Sequence, residues 1–315
     1  MINMTDSKKL SKPLKNIQRY RRRYGLAKAF RAVVHYGIRF LKQNNDSEII
    51  QVNGYQLKII PSDPGISSEL SVFHVHEPLT TNLIKNEIKN GMTCLDIGSN
   101  IGYYAILESN LVGQKGKVIA IEPNPSNYEY LQKNLEIQQT NNTESYNFAA
   151  SDKDGTIRFL IYETSNECMT IPDGEEPKYP GKVIVVPTKQ IDTFVDELNL
   201  HSVDFLRMDV EGFEYYLFKG LKNTLKNFKP LIQIELHVNI MGDEKTKWIL
   251  NNLKSLGYEI KFFIPRDVDV PIIGTKNDIK KFNIEKIIQM INNKTYPSFI
   301  MLILENKNKN FDENQ

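Results

Sequence analysis

Seven short apolar segments alternate with helix-like segments between residues 92 and 304, and this alternation constrains the fold more than any other feature. The strand-like segments are, in chain order, MTCLDI, KVIAIE, SYNFAA, VDFLRMD, PLIQIEL, YEIKFFI and SFIMLIL. Helical patterns begin near Tyr103, Ser126 and Phe213, and another surrounds Lys247. Strands that alternate with helices form a mostly parallel sheet with helices on both faces. The pattern therefore predicts an α/β, Rossmann-like sheet of seven strands.

The first 60 residues differ from the rest in charge. Residues 1–45 contain twelve Lys or Arg and one acid, so the remainder holds 28 basic and 37 acidic residues. From residue 19 to 42, apolar side chains recur at helical spacing among arginines, which predicts a basic amphipathic helix. Its simplest interpretation is that the apolar stripe, with Phe30 and Val34, packs on the domain while the arginines stay solvated. EIIQVNGYQLKII then predicts a β-hairpin that turns at Asn53-Gly54.

The chain is accordingly divided into a helical and hairpin extension at residues 1–60, a main domain at residues 61–306, and a polar tail at residues 307–315. No apolar run reaches the ~18 residues that a membrane span needs. Cys94 lies in an apolar strand and Cys168 in a loop-like stretch, so no disulfide framework is predicted. Because the lysine-rich start has no signal-peptide pattern, the sequence favours a cytoplasmic protein.

CLDIGSNIGYY places an acid and two glycines directly after the first strand of the sheet. Ligands of such sheets bind beyond the carboxyl ends of the strands. The spacing is GxxxG with Asn100 inside it, which fits neither the GxGxxG of dinucleotide sites nor the GxxxxGKS/T of phosphate loops. Asp96, before Gly98 and Gly102, would repel a phosphate and attract a cation. Glu122 ends the next strand, where an acid can bind both hydroxyls of a ribose. A nucleoside with a positive tail, such as S-adenosylmethionine, fits these features.

At these motifs the sequence resembles the FkbM family of class I S-adenosylmethionine-dependent methyltransferases. The resemblance runs from about Asp63 to about Asn239. The segments that carry it are PGISSEL, HEPLTTNLI, GMTCLDIGSNIGYYAIL, GKVIAIEPNPSNYEYLQKNL, NFAASDKDG, DFLRMDVEGFEYYLFKG and IQIELH. Ser99, where the family often has alanine, is a mild departure. The resemblance implies the class I methyltransferase fold and S-adenosylmethionine as the cofactor.

The resemblance also implies individual contacts with the cofactor. The residues that would surround its methionine portion are Asp96, Gly98, Asn100 and Gly102. Glu122 would bind the ribose, with Asn124 beside it. Ser151 and Asp152 would lie near the adenine, although a hairpin turn at Asp154-Gly155 explains that segment equally well without a ligand.

Acidic and histidine side chains at the ends of two later strands are the candidates for catalysis. Asp209 and Glu211 are two residues apart, as are Glu235 and His237, and such pairs project to the same side of an extended strand. If these strands lie beside the first, the side chains converge on the cofactor's methyl group. Methyl transfer to a hydroxyl requires alignment of the acceptor and removal of its proton. We therefore assign Asp209 or His237 as the base, Glu211 as an orienting group or a group that holds the substrate, and Glu235 as a structural acceptor or substrate contact. Glu214 is interpreted as a first-turn helix charge.

No compact ligand motif such as HExxH or paired CxxC occurs, so no metal is predicted, although carboxylate oxygens would suit magnesium. His74 and Glu77 are candidates for substrate contacts. The alternative for Glu77 is that Glu77-Pro78 simply opens a helix.

The acceptor is predicted from one missing motif and from the resemblance. Enzymes that methylate bases carry an Asn/Asp/Ser-Pro-Pro-aromatic motif where this chain has DVEG. The resemblance implies O-methylation of a glycan, a lipid-linked saccharide or a related metabolite, with the polar loop at residues 162–182 shaping the pocket.

The basic segment at residues 19–42 keeps other interpretations open. It could lie on an anionic membrane at the inner face, which would suit a lipid-linked acceptor. It could also bind RNA phosphates in an RNA methyltransferase, although nucleic acid is the less favoured partner. A non-catalytic module that docks on a membrane or partner, with a vestigial cofactor site, is the remaining alternative.

Overall fold

The structure, a computed structural model, describes residues 17–18, 20–42, 48–61, 63–162, 168–171, 176–177, 180–297 and 299–309. Its helices are α1 (Leu26–Lys42), α2 (Ile66–Phe73), α3 (Pro78–Glu87), α4 (Tyr103–Val112), α5 (Pro125–Gln138), α6 (Ile191–Glu197), α7 (Glu214–Lys219), α8 (Lys222–Phe228), α9 (Val238–Met241), α10 (Asp243–Ser255) and α11 (Ile284–Asn292). Its strands are β1 (Ile49–Val52), β2 (Tyr55–Lys58), β3 (Thr93–Ile97), β4 (Lys117–Ile121), β5 (Thr143–Tyr146), β6 (Ala149–Ser151), β7 (Gly155–Tyr162), β8 (Cys168–Ile171), β9 (Gly181–Gln190), β10 (Phe205–Met208), β11 (Leu231–Leu236), β12 (Tyr258–Pro265) and β13 (Ile300–Asn306).

Seven strands form one sheet in the order β12-β13-β11-β10-β3-β4-β5, in which β13 runs antiparallel to its two neighbours. This confirms the predicted seven-stranded α/β sheet. Strand β10 pairs in parallel with β3 on one side and β11 on the other, so Met208 lies between Ile97 and Ile234. The residues that follow these strands, among them Gly98 and Asp209, therefore meet at one edge of the sheet.

The core covers both faces of this sheet, which explains why most residues of its central strands are apolar. Leu95 and Ile97 belong to the cluster on one face, whereas Cys94 belongs to the cluster on the other. Successive side chains of a strand point to opposite faces, so both sets need an apolar partner. Helix α4 packs on the second face, and there its neighbour Leu131 of α5 lies 2.8 Å from where a Cβ on Gly102 would be. Gly102 therefore permits close packing of these two helices.

The hairpin expected after Asp154-Gly155 is present as the antiparallel pair β7 and β9, but the four-stranded sheet that contains it, in the order β6-β9-β7-β8, was not predicted. The segment SYNFAA, predicted as one strand, divides between β5 in the main sheet and β6 in this smaller one. Asn147 lies at the division, where its Nδ2 donates to the carbonyls of Glu122 at 2.8 Å and Pro123 at 3.1 Å and holds the turn. Within the polar loop that was expected to shape the acceptor pocket, residues 163–167, 172–175 and 178–179 lie outside the described part.

The extension before the main domain follows the prediction in its hairpin and departs from it in its helix. Strands β1 and β2 pair around Asn53 and Gly54, both with positive φ, as a type I′ turn requires. The long helix, however, is interrupted at Gly25, where φ is +85°. None of the helices that the structure describes has both the length and the apolar character needed to cross a bilayer.

The face of α1 that packs on the domain is not the predicted one. Ala29 and Ala32 are buried against Val268 and Ile273, since small side chains allow the helix to approach closely. Leu26 and Phe30 are instead 72% and 69% exposed, and Val33 is 49% exposed. The interpretation of Phe30 as a packed residue was therefore wrong.

Candidate active site

A cavity of about 970 Å³ runs along the carboxyl ends of β3, β4, β10 and β11. Tyr20 and Tyr36 from the N-terminal helical segments form part of its opposite wall. The hydroxyl of Tyr20 donates to the carbonyl of Asp267, which ties this wall to the segment after β12. The cavity thus lies where an open α/β sheet binds its ligands.

The turn after β3 occupies one half of the cavity and is held by backbone contacts. The amides of Gly98 and Ser99 donate to the carbonyl of Ile121 at 2.8 and 3.0 Å. Gly98 has φ +88°, and a Cβ there would lie 1.9 Å from the carbonyl oxygen of Asp209. Only glycine fits such an approach. Asn100, with φ +51°, also lines the cavity.

Glu122 links this turn to the segment after β4. Its side chain is buried, and its two oxygens accept hydrogen bonds from the amides of Asn100 and Asn124, each at 2.8 Å. Burial raises the pKa of the Glu122 carboxyl to about 7, against the opposing effect of those two donors. Glu122 lines the cavity, where its carboxylate could accept further hydrogen bonds from a ligand.

Asp96 lies behind the turn, not among the residues that line the cavity. It is fully buried, and its Oδ1 accepts a hydrogen bond from Arg207 at 2.9 Å. The Arg207 guanidinium also donates to the carbonyl of Gly98 and to Asp209 Oδ2, and stacks over the ring of Tyr104 at 4.3 Å. The charge of Asp96 is therefore compensated within the fold, and its expected attraction for a cationic ligand stays a prediction.

Asn124, Ser151 and Asp152, the other predicted cofactor contacts in this region, are not among the residues that line the cavity. Asn124 caps α5, with its Oδ1 accepting from the amide of Ser126 at 3.0 Å. Ser151 is buried and Asp152 pairs with Lys219 at 2.7 Å, and neither lines the cavity. The nearby residues that do line it are apolar: Ala149, Ala150 and Phe159.

The other half of the cavity contains the four predicted residues at the ends of β10 and β11. Asp209, Glu211, Glu235 and His237 all line it, and His237 Nε2 is 3.2 Å from Glu211 Oε2 and 3.9 Å from Glu235 Oε1. Burial raises the pKa of Asp209 to about 6 and that of Glu235 to about 8. Glu211 has φ +51°, an uncommon conformation for this residue type, which turns its carboxylate back toward the cavity.

Glu214 has a larger role than the sequence suggested. It is fully buried, and its Oε1 faces His237 Nδ1 at 2.6 Å and accepts from the amide of Gly212 at 3.1 Å. Burial alone would lower the pKa of His237, but the carboxylates of Glu214 and Glu211 raise it well above its ordinary value. The interpretation of Glu214 as a helix charge alone was therefore incomplete.

Several residues of this half were missed from the sequence. Arg266 Nε lies 2.9 Å from Glu77 Oε1 and 3.5 Å from Glu235 Oε2. It follows β12, far from both acids in the chain, so no local pattern could have indicated it. Arg207 could have been found from the sequence, because a charged side chain in the apolar strand VDFLRMD must have an ion-pair partner when it is buried.

His76, not His74, reaches the cavity. His76 lies 3.5 Å from Glu69 and 3.3 Å from Glu77, and although burial opposes it, these carboxylates raise its pKa to about 10. Glu77 also accepts from the hydroxyl of Tyr104 at 2.7 Å. His74 is exposed, and its Nδ1 contacts the carbonyl of Gln51 at 3.0 Å, so a substrate contact for His74 finds no support in this placement.

Residues 96–260, slightly more than half of the chain, match the model of the methyltransferase FkbM domain. The chain belongs to the FkbM methyltransferase family. It is therefore an S-adenosylmethionine-dependent methyltransferase by family.

Two relatives and one solved structure illustrate what the chain is similar to. The hexuronic acid methyltransferase AglP of Haloferax volcanii is 26% identical over 196 residues, covering 62% of this chain and 76% of its own. A protein of Sulfolobus acidocaldarius described as a cobalt-precorrin-6B C(15)-methyltransferase is 28% identical over 193 residues, covering 58% of this chain and 98% of its own. The crystal structure of an FkbM methyltransferase from Methylobacillus flagellatus superposes with a TM-score of 0.39 at 19% identity, covering 55% of this chain and 40% of its own.

Proposed function

We propose that this FkbM methyltransferase transfers a methyl group from S-adenosylmethionine to a hydroxyl of a glycan, a lipid-linked saccharide or a related metabolite. The observation that carries the proposal is the close approach of the two halves of the cavity. Gly98, in the glycine turn, lies against the backbone of Asp209, in the acidic half. A cofactor held by the first half would present its methyl group to the second.

The residues present fit S-adenosylmethionine. The cofactor supplies a methyl group on a positively charged sulfur, which is open to displacement by a nucleophile. The Glu122 carboxylate, at the cavity wall, would accept hydrogen bonds from the ribose hydroxyls. Ala150 and Phe159 offer an apolar surface for the adenine. Gly98 lets the turn approach the Asp209 carbonyl, which brings the cofactor half of the cavity against the acidic half.

Asp209 is favoured over His237 as the group that takes the proton from the acceptor hydroxyl. Oδ2 of Asp209 faces Arg207 at 3.1 Å, whereas Oδ1 is buried and has no hydrogen-bond partner among the described residues. Oδ1 could therefore accept a hydrogen bond from the acceptor. Both ring nitrogens of His237 already face carboxylates, which leaves no free nitrogen to act as the base.

A saccharide acceptor is supported by the name of one relative and by the cavity. AglP is named as a hexuronic acid methyltransferase, and its match covers 62% of this chain. Aromatic side chains such as Tyr36, Tyr103 and Phe299 line the acceptor side together with Arg266. Rings of this kind can stack on a sugar while the charged groups bind its hydroxyls.

The test is methyl transfer from S-adenosylmethionine labelled at the methyl carbon. Purified chain is incubated with saccharides that end in a uronic acid and with the matching neutral saccharides, and NMR locates the label. The proposal predicts the label on a hydroxyl oxygen of one saccharide class and its loss in Asp209→Asn. Label found on carbon, on nitrogen or on RNA would contradict it.

We also propose that α1 contacts an anionic membrane surface, at the inner face of the membrane, which would bring the enzyme to a lipid-linked acceptor. Leu26, Phe30 and Val33 are spaced along one face of the helix and are exposed. Arg21 and Arg22, in the preceding turn, are exposed and have no ion-pair partner among the described residues. An apolar stripe beside free cations is typical of helices that bind in the membrane interface.

Flotation with vesicles tests this contact. The wild-type chain should float with vesicles that contain anionic lipid and not with neutral ones. Phe30→Ser should reduce flotation several-fold, whereas Ile49→Ser, an exposed apolar position outside α1, should not. Equal flotation of wild type and Phe30→Ser, or a salt-sensitive shift with RNA in place of vesicle binding, would contradict the proposal.

A further inference from the structure

Three side chains at the ends of β10 and β11 have the arrangement of a metal site. Asp209, Glu211 and His237 each bring one potential ligand atom within 4.8 Å of the others. Ligands of an octahedral ion with bonds of about 2.1 Å lie roughly 3 Å apart when adjacent and about 4.2 Å apart when opposite. The separation of 3.2 Å between His237 Nε2 and Glu211 Oε2 is of this kind.

The orientation of His237 is fixed from the side away from the cluster. Its Nδ1 is 2.6 Å from Glu214 Oε1, and Glu214 is fully buried. When Nδ1–H donates to this carboxylate, an ion that displaces the proton on Nε2 would find the Nε2 lone pair directed at the cluster. Histidines that bind metals almost always donate their other N–H to a carboxylate or carbonyl in this way.

Unpartnered carboxylate oxygens provide an independent observation. Asp209 Oδ1 is buried and has no hydrogen-bond partner among the described residues. Glu235 is 4% exposed, faces the same cavity, and accepts no hydrogen bond from the part of the chain that the structure describes. Each carboxylate turns one oxygen toward an arginine, Asp209 Oδ2 at 3.1 Å from Arg207 and Glu235 Oε2 at 3.5 Å from Arg266, and Glu235 Oε1 lies 3.9 Å from His237 Nε2. A buried oxygen without a donor, such as Asp209 Oδ1, requires a partner.

The side chains around the cluster carry more negative than positive charge, which also favours a cation. The acids are Glu77, Asp209, Glu211, Glu214 and Glu235. The bases that contact them are Arg207, Arg266, His76 and His237, and Arg207 is shared with Asp96, while His76 is shared with Glu69. Negative charge therefore remains in excess even when both histidines are protonated. A divalent cation would offset this excess at the point where the free oxygens meet.

We infer that Asp209, Glu211 and His237, with Glu235 beside them, bind a divalent cation. Mixed carboxylate and imidazole ligands suit a first-row transition metal such as Mn²⁺ better than Ca²⁺, which prefers oxygen alone. A hydroxyl bound to such an ion would have a lowered pKa, so its proton could pass to solvent water as its oxygen takes the methyl group, and Asp209 would then hold the ion instead of acting as the base. This last step rests on the proposed O-methyl transfer, whereas binding of the ion does not.

Electron paramagnetic resonance tests the site without turnover or cofactor. The chain is stripped with a chelator and titrated with Mn²⁺, and the loss of the free-ion signal counts the bound ions. We expect one ion per chain, and a dissociation constant at least tenfold higher in Glu211→Gln and in His237→Gln. Glu211→Gln should disturb folding less than His237→Gln does, because the Glu211 side chain is 43% exposed. Glu197→Gln, an exposed acid outside the cavity, is the control and should bind as the wild type does.

The outcomes separate this inference from the proposed function. Mn²⁺ binding that is no tighter in the wild type than in Glu211→Gln overturns the site, and it leaves O-methyl transfer untouched. Methyl transfer that fails while one ion is still bound contradicts the proposed function and supports the metal site. Equal loss of binding in the Glu197 control would mean diffuse attraction to acids and would also overturn it.

Discussion

The two halves of the cavity are built in different ways. The half around Gly98, Asn100 and Glu122 is shaped by backbone groups from two consecutive strand ends, with hydrogen bonds near 2.8 Å between them. The half around Asp209 and His237 is shaped by buried ion pairs between groups that are distant in sequence. The first half therefore depends on close backbone approach, and the second depends on a balance of charges. This difference predicts that substitutions in the two halves will impair different properties of the protein.

The largest effect is expected from Gly98→Ala. The added Cβ would clash with the carbonyl of Asp209, and φ is +88°, so cofactor binding should be lost and the melting temperature should fall by many degrees. Gly91→Ala is the matched control, because Gly91 has φ +88° and no atom within 4 Å of the added Cβ. It should cost only about 1 kcal/mol. Similar losses in both variants, measured by thermal unfolding, would show that backbone strain and not close approach matters.

Asp209→Asn should separate catalysis from cofactor binding. The turnover number should fall about 10²–10⁴-fold, because the group that takes the proton is removed, while the cofactor dissociation constant changes less than about threefold. Turnover with the labelled cofactor and calorimetric titration measure the two quantities on the same preparation. A parallel loss of cofactor affinity would mean that the halves are not separable.

Cofactor affinity should depend on pH through Glu122. The folded pKa is about 7, above that of an ordinary glutamate, and the ionised form is the better acceptor for the ribose hydroxyls. Affinity should therefore rise as pH increases through about 7, by roughly tenfold, and then level off. Glu122→Gln should bind more weakly at pH 8 and show a flat profile. An unchanged slope in this variant would assign the titration to another group.

A smaller effect concerns stability in the acidic half. The pKa of His76 is raised to about 10, above the 6.5 of an unfolded histidine. Its contribution to stability is therefore complete below about pH 6.5 and is lost as pH rises toward 10. In His76→Gln this part of the pH dependence, about 1–3 kcal/mol, should disappear from urea unfolding curves. The exposed His74→Gln should behave as the wild type, and a matching change in it would contradict the assignment.

The same difference explains what the sequence could reveal. Strand and helix periodicity, together with the acid and glycines after β3, were enough to predict the main sheet and the turn, because they depend on neighbouring residues. The sequence placed His237 and Glu214 near the site, but it could not show that they contact each other. That contact depends on how α7 packs against the end of β11.

Contacts made by tertiary packing left no local pattern. Arg266 reaches Glu77 from a segment almost 190 residues further along the chain, so the two have no shared motif. The buried face of α1 was mispredicted because two alanines, not the larger apolar side chains, approach the domain. The sheet that contains β9 was missed because exposed residues such as Val185 alternate there without a strongly apolar face.

Calorimetric titration of S-adenosylmethionine into the purified chain tests the central claim most directly. The account predicts one site per chain with micromolar affinity, lost in Gly98→Ala and retained in Asp209→Asn. Absence of binding by a well-folded wild-type chain, or equal binding by Gly98→Ala, would contradict it.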